Sequence, residues 1–230
     1  MQIVFVFTGS SMKYKLPMIF HKLILIILGV KIKVRGSVSK KKPLILVGNH
    51  ISYLDILILG SLYPICFIAK HEIKNWFFFG FLARMQNSIF IERKNARTLD
   101  SIKKIHNKVN ENFAIVLFPE GTTGTGKSIL NFKSSLFRIF ETSNILRLQN
   151  FSLCYTHINS MPIDRRLMPS IAWYGNMNMV KHLKNLLSFS SINASVNFIP
   201  EQDITGLNRK AIAALSLEKV KKGFYFEFKE

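Results

Sequence analysis

The amino-acid sequence predicts an α/β fold in which helices flank a mixed, largely parallel β-sheet. From Pro43 onward, short apolar runs typical of strands alternate with longer segments typical of helices. The first run, at residues 44–47, is apolar at every position, which is expected of a parallel strand covered on both faces. The chain has 230 residues, of which 48% are hydrophobic, so one core can form without disulfides or metal ions.

The predicted elements follow one another without an internal repeat or a low-complexity linker. Strands are predicted from short apolar runs at residues 44–47, 65–69, 88–91, 114–118, 151–156 and 195–199. Helices are predicted from longer segments at residues 55–62, 72–82, 96–110, 132–142, 180–187 and 209–221. Residues 224–228 are an apolar tail that alternates with Tyr and Glu. In folds of this kind the active site lies where the strands end.

Residues 1–42 are predicted to be a separate basic and apolar segment, followed by a single domain at residues 43–230. Residues 16–30 are apolar apart from His21 and Lys22, but the uninterrupted part, 23–29, falls well short of the roughly 20 residues that span a bilayer. Lysines and one arginine flank it on both sides. This pattern favours a helix that lies in a membrane interface, and an ordinary buried N-terminal helix is the alternative.

The charge balance predicts an anionic partner. The chain carries 32 Lys and Arg against 13 Asp and Glu, a net charge of +19, which suits nucleic acid, acidic lipids or a polyanionic cofactor. The phenylalanine-rich segments, above all residues 76–81, favour a membrane surface and argue against nucleic acid. The two cysteines, Cys66 and Cys154, have neither disulfide-framework nor metal-site spacing, which indicates a reducing compartment.

A histidine and an aspartate follow the first predicted strand at a spacing of five. Ser52-x-x-Asp55 before an apolar run is a capping-box pattern, which needs no catalytic role. His50 and Asp55 could also form an acid–base pair. Five helical positions leave two side chains about 140° apart, so the pair can meet only if His50 precedes the helix and Asp55 lies in its first turn. A Ser52 cap would produce that arrangement, which makes both interpretations compatible.

A second pattern predicts a different class of function. Residues 121–128, with Gly121, Gly126, Lys127 and Ser128 at the defining positions, fit the phosphate-binding loop of an NTPase or kinase. However, Glu120 places a negative charge where polyphosphate would approach. No later apolar strand ends in an aspartate that would hold Mg²⁺, and the nearest candidate, 161–164, contains a proline.

Four sequence blocks at predicted strand ends, the last being Phe151-Ser152 before the Pro162 turn, together resemble the phospholipid/glycerol acyltransferase family, which includes the 1-acyl-sn-glycerol-3-phosphate acyltransferases. Three of them form the family signature: Asn49-His50-x-x-x-x-Asp55, then Ile89-Phe90-Ile91-x-Arg93, and about 65 residues after the first, Phe118-Pro119-Glu120-Gly121-Thr122. The resemblance covers about residues 40–165, and two such blocks in order are a specific signal.

The resemblance implies an O-acyltransferase, so residues 43–230 would be its acyltransferase domain. It would move a fatty acyl chain from acyl-CoA or acyl-carrier protein to a lysophospholipid hydroxyl. The expected acceptor is 1-acyl-sn-glycerol-3-phosphate. The enzyme would lie at the cytoplasmic face of the cell membrane as a peripheral or monotopic protein, and no metal or tightly held cofactor is implied. A basic lipid-binding protein with an inactive site is a further alternative.

The chemistry assigns roles to individual residues. Acyl transfer from a thioester to a hydroxyl needs a base with a near-neutral pKa, which His50 supplies, while Asp55 fixes its tautomer and stabilises the imidazolium. The resemblance implies that Glu120, Gly121 and the adjacent Thr122 position the acceptor. It also implies that Arg93 binds the acceptor's phosphate, with Lys70 as a weaker candidate for the same anion.

The sequence departs from the family pattern near the acceptor. Family members that acylate lysophosphatidate commonly have Arg directly after F-P-E-G-T, where this chain has Thr123. The usual F-K-x-G is Phe132-Lys133-Ser134-Ser135 here. Thr123 resembles members that acylate other lysolipids, so lyso-ornithine lipid is the alternative acceptor.

Overall fold

The structure is a computed structural model, and it describes residues 12–70, 88–91, 105, 114–142 and 145–228. Within these residues the strands are β1 Val30–Arg35, β2 Leu44–Gly48, β3 Ile65–Lys70, β4 Ile89–Ile91, β5 Ala114–Leu117, β6 Arg147–Ile158, β7 Met161–Pro162 and β8 Ile192–Gln202. The α-helices are α1 Met12–Ile27, α2 Leu54–Leu62, α3 Met179–Leu186 and α4 Arg209–Phe226, and two 3-10 helices lie at Ser134–Glu141 and Met168–Ser170.

The strands form one mixed sheet in the order β1-β8-β6-β2-β5-β3-β4, with β7 paired to β6. Pairing is parallel from β6 through β2, β5 and β3 to β4, and β8 runs antiparallel to β6. Every residue of β2 is buried, because strands on both sides and helices on both faces cover it. The predicted fold class, a largely parallel sheet flanked by helices, is confirmed.

Several strands depart from the prediction: β8 spans Ile192–Gln202, where residues 195–199 are predicted, and β6 and β1 depart for identifiable reasons. β6 begins at Arg147 and contains buried polar residues, which interrupt the apolar run that predicts a strand. One of them, Gln149, donates from Nε2 to the carbonyls of Ser37 and Ile199 at 2.9 Å each. β1 was not predicted, because its lysines alternate with apolar residues as in an edge strand. It pairs with β8, so the sheet begins before residue 43.

Two helices also differ from the prediction in type or length. The predicted helix at residues 132–142 is a 3-10 helix at Ser134–Glu141. The predicted end of the last helix at residue 221 is wrong, because α4 continues to Phe226 and buries Phe224. Gly223 permits this close packing, since a methyl group there would lie 2.7 Å from Ser152 Oγ. The helices predicted at 72–82 and 96–110 fall outside the described residues, apart from Ile105.

Helix α1 has one buried and one exposed apolar face. Leu25, and Leu28 directly after the helix end, are buried against the rest of the fold. Leu23, Ile26 and Ile27 are exposed by 55%, 72% and 74%. None of the helices in the described part of the chain is long and apolar enough to cross a membrane. The membrane association of the N-terminal segment stays a prediction.

Candidate active site

The first and third sequence blocks meet at one edge of the sheet. β2 and β5 are parallel neighbours, with Val47 beside Leu117, so the residues that follow them leave the sheet together. Gly48 ends β2 in contact with β6, where a methyl group would lie 2.5 Å from the ring of Phe151. This close approach is the reason for a glycine directly before the histidine loop.

His50 and Asp55 form the predicted pair. His50 Nδ1 lies 2.7 Å from Asp55 Oδ2, with His50 in the loop and Asp55 in the first turn of α2. Since a carboxylate only accepts, Nδ1 carries the proton and Nε2 has a free lone pair. The imidazole is 16% exposed and the carboxylate is fully buried. The arrangement is that of a histidine base oriented by an aspartate.

The predicted Ser52 cap is present only as a long bond. The helix starts after Tyr53, which makes no side-chain capping bond, and Ser52 Oγ accepts from the backbone N–H of Leu54 at 3.4 Å. The shorter bonds are those of Asp55, whose Oδ2 accepts from the N–H groups of Ile51 at 2.6 Å and Ser52 at 3.0 Å. An ionised carboxylate is a stronger acceptor than a hydroxyl, so Asp55 itself organises the turn.

Aromatic packing fixes the plane of the histidine. The His50 ring stacks on Phe118, the first residue of the F-P-E-G-T block, with 4.0 Å between ring centroids and 11° between planes. Phe118 packs edge-on against Phe151 of β6. The imidazole is thus held by Phe118 on one face and by Asp55 at Nδ1.

Glu120 joins the two blocks. It is 2% exposed, and its oxygens accept from the backbone N–H of His50 at 2.8 Å and of Leu130 at 2.9 Å. In return, Gly124 donates its N–H to the carbonyl of His50 at 2.7 Å. Burial raises the pKa of Glu120 to about 7, although both backbone bonds lower it. In this geometry the carboxylate binds the histidine loop.

The loop after Glu120 brings a cation to the site. Gly121 has φ of +70°, and a methyl group there would lie 2.9 Å from Lys133 Nζ. Thr122 is exposed beside it. Lys133 is held through its backbone N–H, which donates to Pro119 at 2.9 Å. No sequence pattern assigned a role to Lys133, although it stands in the F-K-x-G position.

The phosphate-loop alternative does not have the geometry that it needs. A nucleotide loop requires a helix that starts at its Lys-Ser pair, but residues 123–133 contain neither helix nor strand, and Lys127 and Ser128 are exposed. A methyl group on Gly124 would lie 3.3 Å from Glu120 Oε2, and one on Gly126 would lie 2.6 Å from Met168 Sδ. Gly124 therefore serves packing against the Glu120 carboxylate, and Gly126 serves packing against Met168.

Three further residues support the histidine loop from other elements. Asn49 is buried and exchanges two hydrogen bonds with the backbone of Leu153, at 2.8 and 2.9 Å, which continues the β2–β6 pairing past Gly48. Trp173 donates its backbone N–H to the carbonyl of Ile51 at 3.0 Å. The Tyr155 hydroxyl donates to Asp55 Oδ1 at 2.6 Å.

The remaining predicted site residues are only partly described. Lys70 ends β3, its side chain lies outside the description, and Arg93 lies outside the described residues altogether. No group of three or more His, Cys, Asp or Glu residues that could hold a metal ion occurs in the part of the chain that the structure describes.

Comparisons with known proteins identify the family of this chain. A family model described as Acyltransferase matches residues 31–163. The chain is 34% identical to a lyso-ornithine lipid O-acyltransferase of Rhizobium meliloti, over 90% of this chain and 74% of the relative. It is 31% identical to a lyso-ornithine lipid O-acyltransferase of Brucella abortus, over 96% and 85%.

A solved structure has the same fold. The crystal structure of the 1-acyl-sn-glycerophosphate (LPA) acyltransferase PlsC from Thermotoga maritima matches with a TM-score of 0.71 and 19% identity, over 94% of this chain and 80% of that chain.

Proposed function

This chain belongs to the Acyltransferase family, and we propose that it transfers a fatty acyl chain from a thioester donor to the hydroxyl of a lysolipid. The observation that carries the proposal is the bond between His50 Nδ1 and Asp55 Oδ2 at 2.7 Å. It leaves Nε2 as the ring nitrogen that no described residue holds, on an imidazole that is 16% exposed.

The reaction needs no protein nucleophile. Nε2 of His50 accepts the proton of the acceptor hydroxyl while that oxygen attacks the thioester carbonyl. Asp55 stabilises the imidazolium that forms. The carbon–sulfur bond then breaks, and the leaving thiolate takes the proton from Nε2, so the donor departs as a free thiol and His50 returns to its neutral form.

Lyso-ornithine lipid is the acceptor that we favour. Two relatives that match nearly the whole chain carry that activity in their names. Thr123 also stands where lysophosphatidate-specific members commonly have an arginine. The second candidate is 1-acyl-sn-glycerol-3-phosphate, and the observation that supports it is Lys133 Nζ beside Gly121, since an ammonium group binds phosphate. A carboxylate headgroup could use the same cation.

The donor is acyl-CoA or acyl-carrier protein. Both are anionic, and the net charge of +19 would attract either one. The donor's thioester would have to approach Nε2 from the exposed side of the His50 ring, because Phe118 covers one face.

We place the enzyme on a membrane surface, with α1 as one contact. β1 begins shortly after α1, and its first residue, Val30, pairs with Ile192 of β8. Ile192 in turn pairs with Ile158 at the end of β6, so α1 leads into the sheet at that end. β6 runs parallel to β2 and extends past its end at Gly48. The exposed residues Ile26 and Ile27 therefore lie towards the sheet edge that carries His50. Apolar side chains with basic neighbours suit an anionic interface, here the cytoplasmic face of the membrane.

A paired acceptor assay tests the function. Purified enzyme in anionic vesicles would receive labelled acyl-CoA or acyl-carrier protein together with lyso-ornithine lipid or 1-acyl-sn-glycerol-3-phosphate. We expect acylation of lyso-ornithine lipid by the wild type and by Lys127→Ala, without ATP. Acylation of neither acceptor would favour a lipid-binding protein with an inactive site. Loss of activity in Lys127→Ala together with ATP turnover by the wild type would restore the nucleotide-site alternative.

A further inference from the structure

Asp55 has a buried partner that lies outside all three sequence blocks. Tyr155 is a residue of β6 and is fully buried. Its hydroxyl lies 2.6 Å from Asp55 Oδ1, whereas His50, Ile51 and Ser52 all bind Oδ2. Among the described residues, Tyr155 is the donor to Oδ1. The carboxylate is therefore held from two sides, and Tyr155 holds the side that faces away from His50.

The fold explains how a residue 100 positions away reaches this carboxylate. β6 continues past the end of β2, and the Asn49–Leu153 bonds fix the two strands in register there. Because side chains alternate along a strand, Tyr155 lies on the same face as Leu153, four residues beyond Phe151, which pairs with Gly48 at the end of β2. This extension of β6 brings the Tyr155 hydroxyl to Asp55 in the first turn of α2.

We propose that Tyr155 is a positioning residue of the acyl-transfer reaction, whose hydroxyl fixes the Asp55 carboxylate so that Oδ2 faces His50 Nδ1. The inference rests on the proposed function, because it gives Tyr155 an effect on catalysis only through the His50–Asp55 pair. The ordinary alternative is a core tyrosine that has found a convenient acceptor, since buried tyrosine hydroxyls usually have a partner.

The hydroxyl also moderates the charge that Asp55 presents. A charge-assisted hydrogen bond to Oδ1 draws negative charge away from Oδ2. Burial, with Asp55 beside it, raises the pKa of Tyr155 well above its usual value, so the phenol stays protonated and remains a donor. Without it, Oδ2, which the N–H groups of Ile51 and Ser52 still bind, would carry more of the carboxylate charge and favour the imidazolium of His50. The other titratable groups near this pair are Glu120, Tyr53 and Cys154.

The test compares Tyr155→Phe with Tyr53→Phe. Tyr53 is also buried, in the loop that carries His50, and its hydroxyl lies 3.0 Å from His182 Nδ1. We expect Tyr155→Phe to lower kcat roughly tenfold, the factor for a lost hydrogen bond to a charged group, with the acceptor KM nearly unchanged. The acid limb of its pH–rate profile should move to higher pH. Tyr53→Phe should leave that limb in place.

A double-mutant cycle shows whether the effect passes through Asp55. If it does, Tyr155→Phe should change the residual rate of Asp55→Asn far less than it changes the wild-type rate. An equal factor in both backgrounds, or an unshifted acid limb in Tyr155→Phe, would overturn the positioning role and leave the proposed function intact. A wild type and a Tyr53→Phe variant that acylate no lysolipid would overturn the proposed function and this inference together.

Discussion

The buried carboxylate of Glu120 accepts a hydrogen bond from the backbone N–H of His50 at 2.8 Å. This bond joins two sequence blocks that leave the sheet from neighbouring strands. With the second bond, from Leu130 at 2.9 Å, the glutamate uses both oxygens on backbone donors. Glu120 therefore sets the path of the histidine loop, and its effect on the reaction is expected to operate through the position of His50.

Replacing Glu120 with glutamine should damage both stability and activity. The amide has a single acceptor oxygen, so one of the two backbone donors would face an NH₂ group. A buried donor without a partner costs about 1–3 kcal/mol. Urea unfolding and the acylation rate measure the two effects. The matched control is Glu141→Gln, where an exposed carboxylate accepts from Arg209 N–H alone. Wild-type stability in Glu120→Gln would contradict the role of both oxygens.

The raised pKa of Glu120 predicts a pH dependence of stability. Burial raises the pKa of Glu120 from its ordinary value of 4.5 to about 7, so between these values the folded protein binds more protons than the unfolded chain. The stabilising contribution is therefore complete below about pH 4.5 and is lost as the pH rises through 7. The difference in unfolding free energy between the wild type and Glu120→Gln should fall over this window. A constant difference would contradict the raised pKa.

The exposed face of α1 should determine membrane binding. We expect the double variant Ile26→Ser/Ile27→Ser to bind anionic vesicles at least about tenfold more weakly, because two large apolar side chains no longer enter the interface. Vesicle sedimentation at low and high salt measures this. Val180→Ser, which changes a residue of α3 that is 66% exposed, is the control. Equal loss in both would show that α1 has no special part in binding.

Lys133 should contribute to acceptor binding. We expect Lys133→Ala to raise the acceptor KM several-fold, more at low salt than at high salt, because the acceptor's anionic group loses its counter-charge. Lys127→Ala removes an exposed lysine of the same loop and should leave KM unchanged. Comparing lyso-ornithine lipid with 1-acyl-sn-glycerol-3-phosphate separates a carboxylate from a phosphate. An unchanged KM for both acceptors would exclude Lys133 from the acceptor site.

Sequence patterns predicted the parts of the site that are local or that stand at strand ends. His50 could be predicted to lie beside Asp55 from two features: the apolar run of β2, and the requirement that Asp55 lie in the first turn of a helix. The partners of that pair could not be predicted in the same way. Tyr155 resembles any aromatic residue of a buried strand, and its contact depends on how far β6 extends beyond β2. Likewise, Asn49 acts through a strand register that no local pattern encodes.

Two departures from the predictions have physical explanations. The Ser52 pattern indicated a hydroxyl cap, but the hydroxyl accepts only a long bond from the N–H of Leu54, whereas the buried Asp55 carboxylate, a stronger acceptor, binds the N–H groups of Ile51 and Ser52. The lysines of β1 indicated a basic flank, although alternate charged residues are also how an edge strand avoids pairing with other chains. In both cases tertiary structure decided between two local interpretations.

The most direct test of the account is the acylation rate of His50→Ala. With the general base removed, kcat should fall by a factor of about 10²–10⁴, while the circular dichroism spectrum and the binding to anionic vesicles stay as in the wild type. Acylation of lysolipid by His50→Ala at the wild-type rate would contradict the assignment of His50 as the base.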